Sequence, residues 1–424
     1  MLRTRRTPQP DSSPNSGHNS HHKVVVVGGG NAGLSVAARL RRAGIDDVAI
    51  IEPSALHYYQ PLWTLVGGGL VDAAKTVRPE ASFIPKNTTW IRDRAVEIHP
   101  AARVVTTGNG GSVSYDRLVV APGIQLDWDA TPGMSSALQT PHASSNYDLA
   151  LAPKTWEVMR KLRSGTAVFT MPTGAIKCPG APQKIAYLCA DYWRAEGVLR
   201  DIRVILTLPG AGLFGVAVFA QALAETVLKY GIEVRFNTEL VAVDGDARRV
   251  TLLDTSTGVK EQLDYDALHV APQQSAPDWL KHGPLADPTN PAGYVDVDKH
   301  TLQHVRHADV FALGDAGNTP NSKTGAAIRR QAPVVVANLI ASLDGRPRRP
   351  GEPARPLPAR YDGYAACPFT TARNKMLLAE FDYTLAHRPS FPLIDTTKER
   401  YDMWLLKRYG LPWLYWHLLL RGRS

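Results

Sequence analysis

The stretch KVVVVGGGNAGLSVAARLRRAG, residues 23–44, constrains the fold of this chain more than any other. Its valines predict a buried strand, its glycines a tight turn, and the spacing of the later apolar residues an amphipathic helix. Gly28, Gly30 and Gly33 fit the pattern G-x-G-x-x-G, whose glycines let the backbone approach a pyrophosphate at the helix N-terminus. A second predicted strand ends at Glu52, near the spacing of a ribose-binding acid. Together these features predict a Rossmann-like dinucleotide-binding domain.

Two later segments complete this domain. YDRLVVAPG predicts a further strand, and HADVFALGDAGN predicts a strand that closes on Gly314 and Asp315. The following NSKTGAAIRRQAPVVVANLI predicts a helix whose free N-terminal amides face a phosphate or an electron-rich ring. A Gly-Asp ending so far from the first glycine turn is typical of flavoproteins with two dinucleotide domains. We therefore predict an FAD domain formed by residues 23–150 and 290–345.

Residues 151–289 predict a second α/β domain. It contains GAGLFG, in which Gly210, Gly212 and Gly215 match G-x-G-x-x-G literally. This match follows the second strand of the unit rather than the first, and the next strand ends on Asn237 with no acid placed for a ribose. The position after the first strand holds TGAIKCPGAP instead. We therefore interpret this domain as a degenerate NAD-like fold rather than an NADH site.

The chain has three cysteines, two of which are candidate redox residues. Cys178 precedes a predicted helix N-terminus, with Lys177 beside it and Lys184 one turn into the helix, so we expect its thiol pKa to be lowered. Cys367 stands in a second Cys-Pro sequence, on a predicted loop leading into a helix. Cys189 lies within an apolar helical pattern and is predicted to be buried packing. The residues alone leave open which two cysteines pair.

Composition narrows the remaining possibilities. Three cysteines without a CxxC or Cys/His spacing argue against a disulfide scaffold and against a structural metal. The net charge of +9 suits an anionic partner, but no basic run with interleaved aromatics indicates nucleic acid. Residues 1–22 predict a disordered extension, and residues 346–358 a proline-rich linker.

The predicted C-terminal domain, residues 346–424, ends in WLLKRYGLPWLYWHLLLRGR. Its tryptophans, tyrosine and leucines alternate with lysine and arginine, a composition typical of segments that lie in the lipid headgroup region. Gly410 and Pro412 interrupt it, and no run of about 18 apolar residues occurs to span a bilayer. Packing of the same helix on the protein core is the alternative. Together these segments predict an α/β fold with two Rossmann-like domains and a C-terminal membrane-interacting segment.

Several longer motifs resemble those of one enzyme family. The sequence IKCPGAPQK begins at Ile176 and YDGYAACP at Tyr361, and YYQPLWTLVGGG, GIQLD, VDVDKHTLQH and AEFDY occur in the same chain. Together they resemble sulfide:quinone oxidoreductase of the mitochondrial type, over about residues 23–421. The resemblance implies that sulfide attacks a cysteine disulfide or its sulfur-bridged form. Cys367 would then carry the persulfide, Cys178 would face the flavin as thiolate, and the electrons would pass through FAD to a membrane quinone.

The resemblance also implies site residues and partners. The FAD-binding set is predicted to be Gly28, Gly30, Asn31, Gly33, Glu52, Gln60, Ala95, Lys184, Gly314, Asp315, Gly325 and Ala326. Aromatic candidates for a quinone pocket are Phe369, Phe381, Tyr383, Tyr401 and Trp404. The sulfane sulfur would go to an acceptor such as glutathione, sulfite or sulfide. A peripheral position on the bacterial cytoplasmic membrane or the mitochondrial inner membrane is expected.

Two departures from the family and three alternatives accompany this hypothesis. The segment APGIQLDWDATPG lacks the third redox cysteine of the bacterial branch, which favours a two-cysteine mechanism. The family C-terminus often runs beyond LLLRG, so membrane attachment is expected to be weaker here or shared with a partner chain. The alternatives are a type II NADH:quinone dehydrogenase, a soluble flavocytochrome-type sulfide dehydrogenase, and a non-enzymatic flavin or sulfur sensor.

Overall fold

The four valines that open the first motif form the central strand of the largest sheet. The computed structural model describes residues 19–343 and 356–424, so part of the predicted N-terminal extension and most of the predicted linker lie outside the described residues. The first strand starts at Ser20, three residues before the predicted start of order at Lys23, because Ser20–His22 pair with a neighbouring strand. Val24–Val27 are almost fully buried. The side chains of a parallel strand with cover on both faces are buried in this way.

The described ranges contain the following strands, numbered in chain order: β1 Ser20–Val27, β2 Val48–Ile51, β3 Leu56–Tyr58, β4 Val77–Pro79, β5 Thr89–Ile91, β6 Ala95–His99, β7 Val104–Thr107, β8 Ser112–Val120, β9 Gln125–Asp127, β10 Ala143–Ser144, β11 Gly165–Thr170, β12 Ile202–Thr207, β13 Glu233–Arg235, β14 Thr238–Asp244, β15 Arg249–Asp254, β16 Lys260–Asp264, β17 Ala267–His269, β18 Gln273–Ser275, β19 Val310–Ala312, β20 Ala365–Ala372 and β21 Lys375–Phe381.

The α-helices of the same ranges are α1 Asn31–Arg42, α2 Trp63–Gly67, α3 Met134–Ala137, α4 Ala152–Lys161, α5 Ala181–Ala195, α6 Ala217–Tyr230, α7 Asp278–Lys281, α8 Gly325–Leu343, α9 Tyr401–Leu405 and α10 Leu411–His417. A π-helical turn, Leu406–Gly410, joins α9 to α10.

The first sheet has the order β5–β2–β1–β8–β7–β6, with β19 beside β8. The pairs β5/β2, β2/β1, β1/β8 and β8/β19 are parallel, and β6–β7–β8 form an antiparallel edge. Helices α1 and α8 pack together on one face. The far segment β19–α8 thereby returns to the first glycine turn, as the sequence predicted. The carboxyl ends of β1 and β19 lie at one edge of the sheet, where parallel α/β sheets bind ligands.

The second sheet has the order β10–β17–β11–β12–β13 and is parallel throughout. Helix α5 follows β11 and α6 follows β12, which is the alternation of a Rossmann-like unit. Strand β10 belongs to this sheet although it precedes residue 151. The predicted domain boundaries themselves stay predictions.

The C-terminal part forms a hairpin and a broken helix. Strands β20 and β21 pair antiparallel, and β20 packs on both α5 and α8. Its two faces therefore reach different apolar cores, one shared with the first domain and one with the second. This hairpin brings the C-terminal part against both domains at the place where their carboxyl-end loops meet.

Candidate active site

The first glycine turn is closely packed against its neighbours. A Cβ atom at Gly33 would lie 1.8 Å from the carbonyl oxygen of Gly28, and one at Gly28 would lie 2.3 Å from the carbonyl oxygen of Ala121. Gly28 also has a φ of +98°, which glycine adopts without strain. A Cβ at Gly30, in contrast, would meet no protein atom within 4 Å. The turn is thus compressed against the protein on one side and open towards the cavity on the other, as a dinucleotide cradle requires.

Glu52 is fixed beside this turn by backbone amides. Its two carboxylate oxygens accept hydrogen bonds from Gly29 N–H and Ser54 N–H, both at 2.7 Å. Burial raises the carboxyl pKa, while the two amides oppose this shift. The carboxylate is therefore held at the end of β2, in the position of a ribose-binding acid.

A cavity of about 500 Å³ runs from the glycine turn to Cys178. The predicted FAD residues that line it are Gly30, Asn31, Glu52, Gln60, Lys184, Asp315, Gly325 and Ala326. Gly28, Gly33 and Gly314 do not line the cavity themselves but stand in the turns that carry its lining residues. Ala95 is buried among the side chains of a separate apolar core, so the structure does not bring it to the cavity wall.

Buried charges surround the far end of the cavity. Lys323 Nζ donates to the carbonyl oxygens of Asp315 and Gly317, each at 2.7 Å, and burial lowers its pKa to about 8. Burial also raises the pKa of the Asp315 carboxyl, partly offset by Lys323 and Lys177. The cavity residues fit FAD: open glycines and helix N-termini suit the phosphates, Glu52 suits a ribose, and Asp315 and Lys323 supply polar groups farther along.

Cys178 lies on a tightly held loop just before α5. Its backbone has a φ of +48°, which is uncommon for a residue other than glycine and is a conformation that collects at functional sites. Its N–H donates to the Lys323 carbonyl at 2.9 Å, and its own carbonyl accepts from Ala181 N–H at 2.8 Å and from the Tyr147 hydroxyl at 3.2 Å. These bonds hold the thiol at the cavity wall.

Cys178, Cys367 and Lys184 form one buried group. Lys184 Nζ donates to Cys178 Sγ at 3.2 Å and also faces Cys367. The thiol of Cys367 and the Lys184 ammonium hold the pKa of Cys178 well below its usual range, against the effect of burial. The same sharing of one proton, together with burial, holds the pKa of Cys367 well above its usual range. Burial opposes the charge on Lys184, but the two sulfurs outweigh it and raise the lysine pKa.

This arrangement confirms the predicted low pKa of Cys178 and corrects the local structure predicted for Cys367. Cys367 lies within β20 rather than on a loop before a helix, because ACPFTTA alternates between two buried faces and continues into a hairpin. Cys189 is buried in α5, and burial raises its pKa to about 12, as expected for a packing cysteine. All three cysteines are thiols in this structure.

Lys407 was missed by sequence reasoning. It stands in the π-helical turn of the C-terminal segment, is 2% exposed and lines the cavity. Its Nζ donates to the Pro61 carbonyl at 2.7 Å, and burial and the nearby Lys184 lower its pKa to about 8. In the sequence, this lysine stands among apolar residues, and such a pattern predicts a cation that faces lipid. The helix widening that turns it inward has no evident sequence pattern.

The five aromatic residues proposed for a quinone pocket do not line the cavity. Phe369 and Phe381 point to the opposite face of the hairpin and pack in the core around α5. Tyr383 donates to the Lys299 carbonyl, and Tyr401 is 57% exposed and stacks on Trp404 outside the cavity. The alternation of β20 and β21 explains the difference, since their even-numbered residues face the cavity. The residues that line this end are Ala366, Pro368, Leu378, Phe391, Leu406, Leu411, Leu414 and Leu419.

The second glycine motif lacks the packing of the first. A Cβ at Gly210 would meet nothing within 4 Å, and those at Gly212 and Gly215 would have contacts no closer than 3.9 Å. None of the three has a positive φ. Because neither close approach nor backbone conformation requires glycine here, the structure gives no support to a phosphate-binding turn and agrees with a degenerate NAD-like domain.

The C-terminal segment packs on the core with one part of its side chains and leaves another part exposed. Tyr415 and Trp416 are buried against the FAD-side core, whereas Tyr409, Trp413 and Leu414 are exposed. Within residues 19–343 and 356–424, no helix has both the length and the apolar character needed to cross a bilayer. The same ranges hold no cluster of three or more His, Cys, Asp or Glu side chains suited to a metal ion.

Comparison with known proteins identifies relatives of this chain. Residues 22–167 match the family model described as pyridine nucleotide-disulphide oxidoreductase. The mitochondrial sulfide:quinone oxidoreductase of Dictyostelium discoideum is 42% identical over 404 residues, covering 95% of this chain and 86% of that protein. The Mus musculus protein of the same name is 40% identical over 406 residues, covering 95% and 87%. The X-ray structure of the Aquifex aeolicus sulfide:quinone oxidoreductase superposes with a TM-score of 0.76 at 19% identity, covering 96% of this chain and 92% of that one, and shows the shared fold.

The fold and the cavity define an FAD-dependent flavoprotein oxidoreductase with two dinucleotide-binding domains, so the predicted fold class and cofactor are confirmed. At the identities and coverage of its mitochondrial relatives, the chain belongs to the sulfide:quinone oxidoreductase family. The predicted enzyme class is thereby confirmed as well.

Proposed function

We propose that Cys178 and Cys367 are the sulfide-oxidising centre of this enzyme, which oxidises sulfide with quinone as electron acceptor. The observation that carries the proposal is the contact of Lys184 Nζ with Cys178 Sγ at 3.2 Å, next to Cys367. A buried ammonium between two sulfurs stabilises a thiolate on one of them. The direct hydrogen bond from Lys184 favours Cys178 as the thiolate, in keeping with the lowered pKa of this thiol.

The first chemical step is thiol–disulfide exchange. With the pair oxidised to a disulfide, HS⁻ attacks the sulfur of Cys367, a new S–S bond forms, and the Cys367–Cys178 bond breaks. Cys367 becomes a persulfide and Cys178 leaves as thiolate, with no net gain or loss of electrons. A thiol of low pKa leaves faster, so the position of Lys184 favours this direction of cleavage.

The second step removes the outer sulfur of the persulfide. A nucleophilic acceptor, such as sulfite, a thiolate or a second HS⁻, bonds to that sulfur, and Cys367 is released as thiolate. Re-forming the disulfide then requires the loss of two electrons from the pair. When bound, FAD supplies the two-electron acceptor for this oxidation and the route to quinone.

The cofactor would be held by the residues that line the cavity between the glycine turn and Cys178. Gly30 and Asn31 offer the open N-terminus of α1 to the pyrophosphate, and Glu52 would bind a ribose. Lys184 and Lys407 place two cations beside the sulfur end of the cavity, where they favour negative charge. The assignment of Ala95 to the cofactor stays a prediction.

The quinone would approach along the apolar end of the cavity. Pro368, Leu378, Phe391, Leu411 and Leu414 give this end an apolar wall. An apolar channel of this kind suits a quinone ring and its tail. We therefore assign the quinone site to these residues in place of the five aromatic candidates from the sequence.

Membrane attachment would use the exposed half of the C-terminal segment. Leu405, Tyr409 and Trp413 are 37–60% exposed, in the same segment as three arginines, whereas its one lysine, Lys407, is buried at the cavity. Aromatic and cationic side chains in this arrangement favour the headgroup region. We place the enzyme on the surface of the mitochondrial inner membrane or the bacterial cytoplasmic membrane.

The decisive experiment is sulfide-dependent reduction of a quinone analogue by the purified holoenzyme. We expect turnover in the wild type, its loss in Cys178→Ser and Cys367→Ser, and near-normal turnover in Cys189→Ser, the matched buried control. Near-normal turnover in either of the first two variants would refute the paired-cysteine mechanism. Flavin reduction by NADH but not by sulfide would refute the function itself.

A further inference from the structure

The loop between β12 and α6, residues 208–216, contains the second glycine motif and takes no part in the two chemical steps of the proposed function. Gly210, Gly212 and Gly215 are exposed on it, and Leu213 and Phe214 turn inward between them. The inner end is held by one side chain, since Gln183 Nε2 donates to the Leu213 carbonyl at 2.7 Å. Glycines without close neighbours allow backbone movement that bulkier residues restrict. The loop thus carries an apolar plug, Leu213 and Phe214, which Gln183 holds at its inner end, while Asn237 N–H donates to the Gly210 carbonyl at 3.1 Å.

Phe214 packs against the apolar cluster that contains Cys367. On the hairpin, Cys367 pairs with Ala379, and the neighbouring rows of the same face carry Phe369 and Phe381. The Phe214 ring contacts both of these rings edge-on, at centroid distances of 5.2 and 5.4 Å. Because those two rings flank the cysteine row on opposite sides and on different strands, a ring that contacts both spans the row of Cys367 and Ala379.

The other neighbours of Cys367 are fixed. Gly180 at the start of α5 packs so tightly that a Cβ there would lie 2.8 Å from Cys367 Sγ. Cys367 itself does not line the FAD cavity, because Cys178 and Lys184 lie between its thiol and the cavity, and the residue is 2% exposed. Phe214 differs from these neighbours because it is half-buried on a glycine-flanked loop. Movement of this ring opens a path to Cys367 without disturbing a helix or a strand.

We propose that Phe214 is the gate through which the sulfur acceptor reaches the persulfide on Cys367, and that its size limits which acceptors are used. The proposal rests on the proposed role of Cys367. A hydrosulfide ion has one heavy atom and needs a small opening, whereas sulfite or a thiol needs the ring to swing away. The acceptor forms a bond to the outer sulfur, the S–S bond to Cys367 breaks, and Cys367 leaves as thiolate, so atoms and electrons balance.

The test measures access to Cys367 directly. In a Cys178→Ser background of the holoenzyme, Cys367 is alkylated with iodoacetamide and with the bulkier N-ethylmaleimide, and labelled peptides are quantified by mass spectrometry. Phe214→Ala should raise the N-ethylmaleimide rate at least about tenfold, the factor given by ~1.4 kcal/mol less opening cost. The rise with iodoacetamide should be smaller. Phe214→Trp should slow both reagents, which a loosened fold would not do.

Two controls accompany these variants. Phe236→Ala removes a 39% exposed ring of the same domain and should leave both rates unchanged. Cys189, buried in α5, should remain unlabelled in every variant. If Phe214→Trp and Phe214→Ala give the same Cys367 rates as the background, the gate is refuted. Phe214→Leu, which retains an apolar side chain, should give intermediate rates.

In the enzyme with both cysteines, the gate predicts a selective change in acceptor use. Phe214→Ala should lower the KM for a bulky thiol acceptor several-fold and leave the KM for sulfide as sole substrate unchanged. Equal changes for both substrates would contradict size selection by this ring. Failure of the proposed function would look different, because wild-type enzyme treated with sulfide would then carry no persulfide on the Cys367 peptide, whatever the alkylation rates.

Discussion

The hydroxyl of Tyr415 is hydrogen-bonded to Nε2 of His57 at 2.6 Å, which joins the C-terminal segment to the wall of the cofactor cavity. On the other side of the ring, Nδ1 of His57 bonds to the Glu80 carboxylate at 2.8 Å. Because a carboxylate can only accept, Nδ1 of His57 is the donor in this second bond. All three side chains are buried, so this chain of bonds is a structural link rather than a surface contact.

Replacement of Tyr415 by phenylalanine should destabilise the folded enzyme. The change leaves Nε2 of His57 buried without its partner, which costs about 1–3 kcal/mol. Denaturant unfolding of the holoenzyme should show this as a lower midpoint. Tyr409→Phe removes a hydroxyl that is on a 60% exposed residue and should leave the midpoint unchanged. Equal midpoints for the two variants would show that the link contributes nothing.

Replacement of Lys184 by methionine should raise the pKa of Cys178. The ammonium stabilises the thiolate, so its loss moves thiolate formation to higher pH. The rate at which iodoacetamide alkylates the reduced pair should therefore rise at a correspondingly higher pH. Sulfide-dependent turnover should fall at least about tenfold, equivalent to ~1.4 kcal/mol of lost stabilisation. Lys184→Arg, which keeps the charge, should shift the pH profile less. An unchanged profile in Lys184→Met would contradict the assigned role.

The buried Lys407 should make stability depend on pH. Its pKa is lowered from 10.5 to about 8, so the unfolded chain binds the extra proton between these values. The cost of burying the charge is therefore full below about pH 8 and is relieved as pH rises towards 10.5. Relative to Lys407→Met, the wild type should gain about 3 kcal/mol across this range. If the difference in unfolding free energy between the wild type and Lys407→Met were the same at pH 7.5 and at pH 10, this prediction would be refuted.

The two glycine motifs should respond differently to alanine. Gly33→Ala places a Cβ against the Gly28 carbonyl oxygen and should abolish FAD binding or folding, since overpacking of this kind costs about 1–3 kcal/mol or more. Gly210→Ala meets no neighbour and should retain full flavin content. Flavin absorbance per chain measures both. A loss of flavin in Gly210→Ala would mean that the second motif supports the cofactor after all.

Two leucines of the C-terminal segment form a matched pair for the quinone site. Leu414 is 38% exposed and lines the cavity, whereas Leu405 is 37% exposed and does not. Replacement by serine should weaken binding to anionic vesicles similarly in both, because each loses comparable apolar surface. The KM for a quinone analogue should rise only in Leu414→Ser. The same KM in both variants would place the quinone entrance elsewhere.

Local patterns allowed much of the fold to be predicted. The valines of β1, the turn at Gly28 and Gly33 and the apolar face of α1 are adjacent in sequence, so their periodicity is visible without the rest of the chain. The same holds for Cys178 before α5, where Pro182 in the first turn indicated a helix start. Lys184 follows one turn later and reaches the sulfur as expected.

Features that depend on distant parts of the chain were not predictable in this way. The face on which Phe369 and Phe381 lie is decided by pairing of β20 with β21 and by cores from both domains. Lys407 enters the cavity because a π-helical turn rotates it inward, and its partner is the carbonyl of Pro61. The aromatic composition indicated an apolar site but carried no information on the face of the hairpin to which each side chain points.

The pleat of β20 turns Cys367 to one core and the next residue, Pro368, to the cavity. Because side chains alternate with a period of two, a one-residue slip of β20 against β21 would exchange the two faces. The thiol would then enter the quinone side, and a residue without a thiol would stand beside Lys184. A two-residue slip would restore the face but move the thiol about 7 Å along the strand, so the sulfur chemistry depends on a single strand register as well as on the presence of the cysteine.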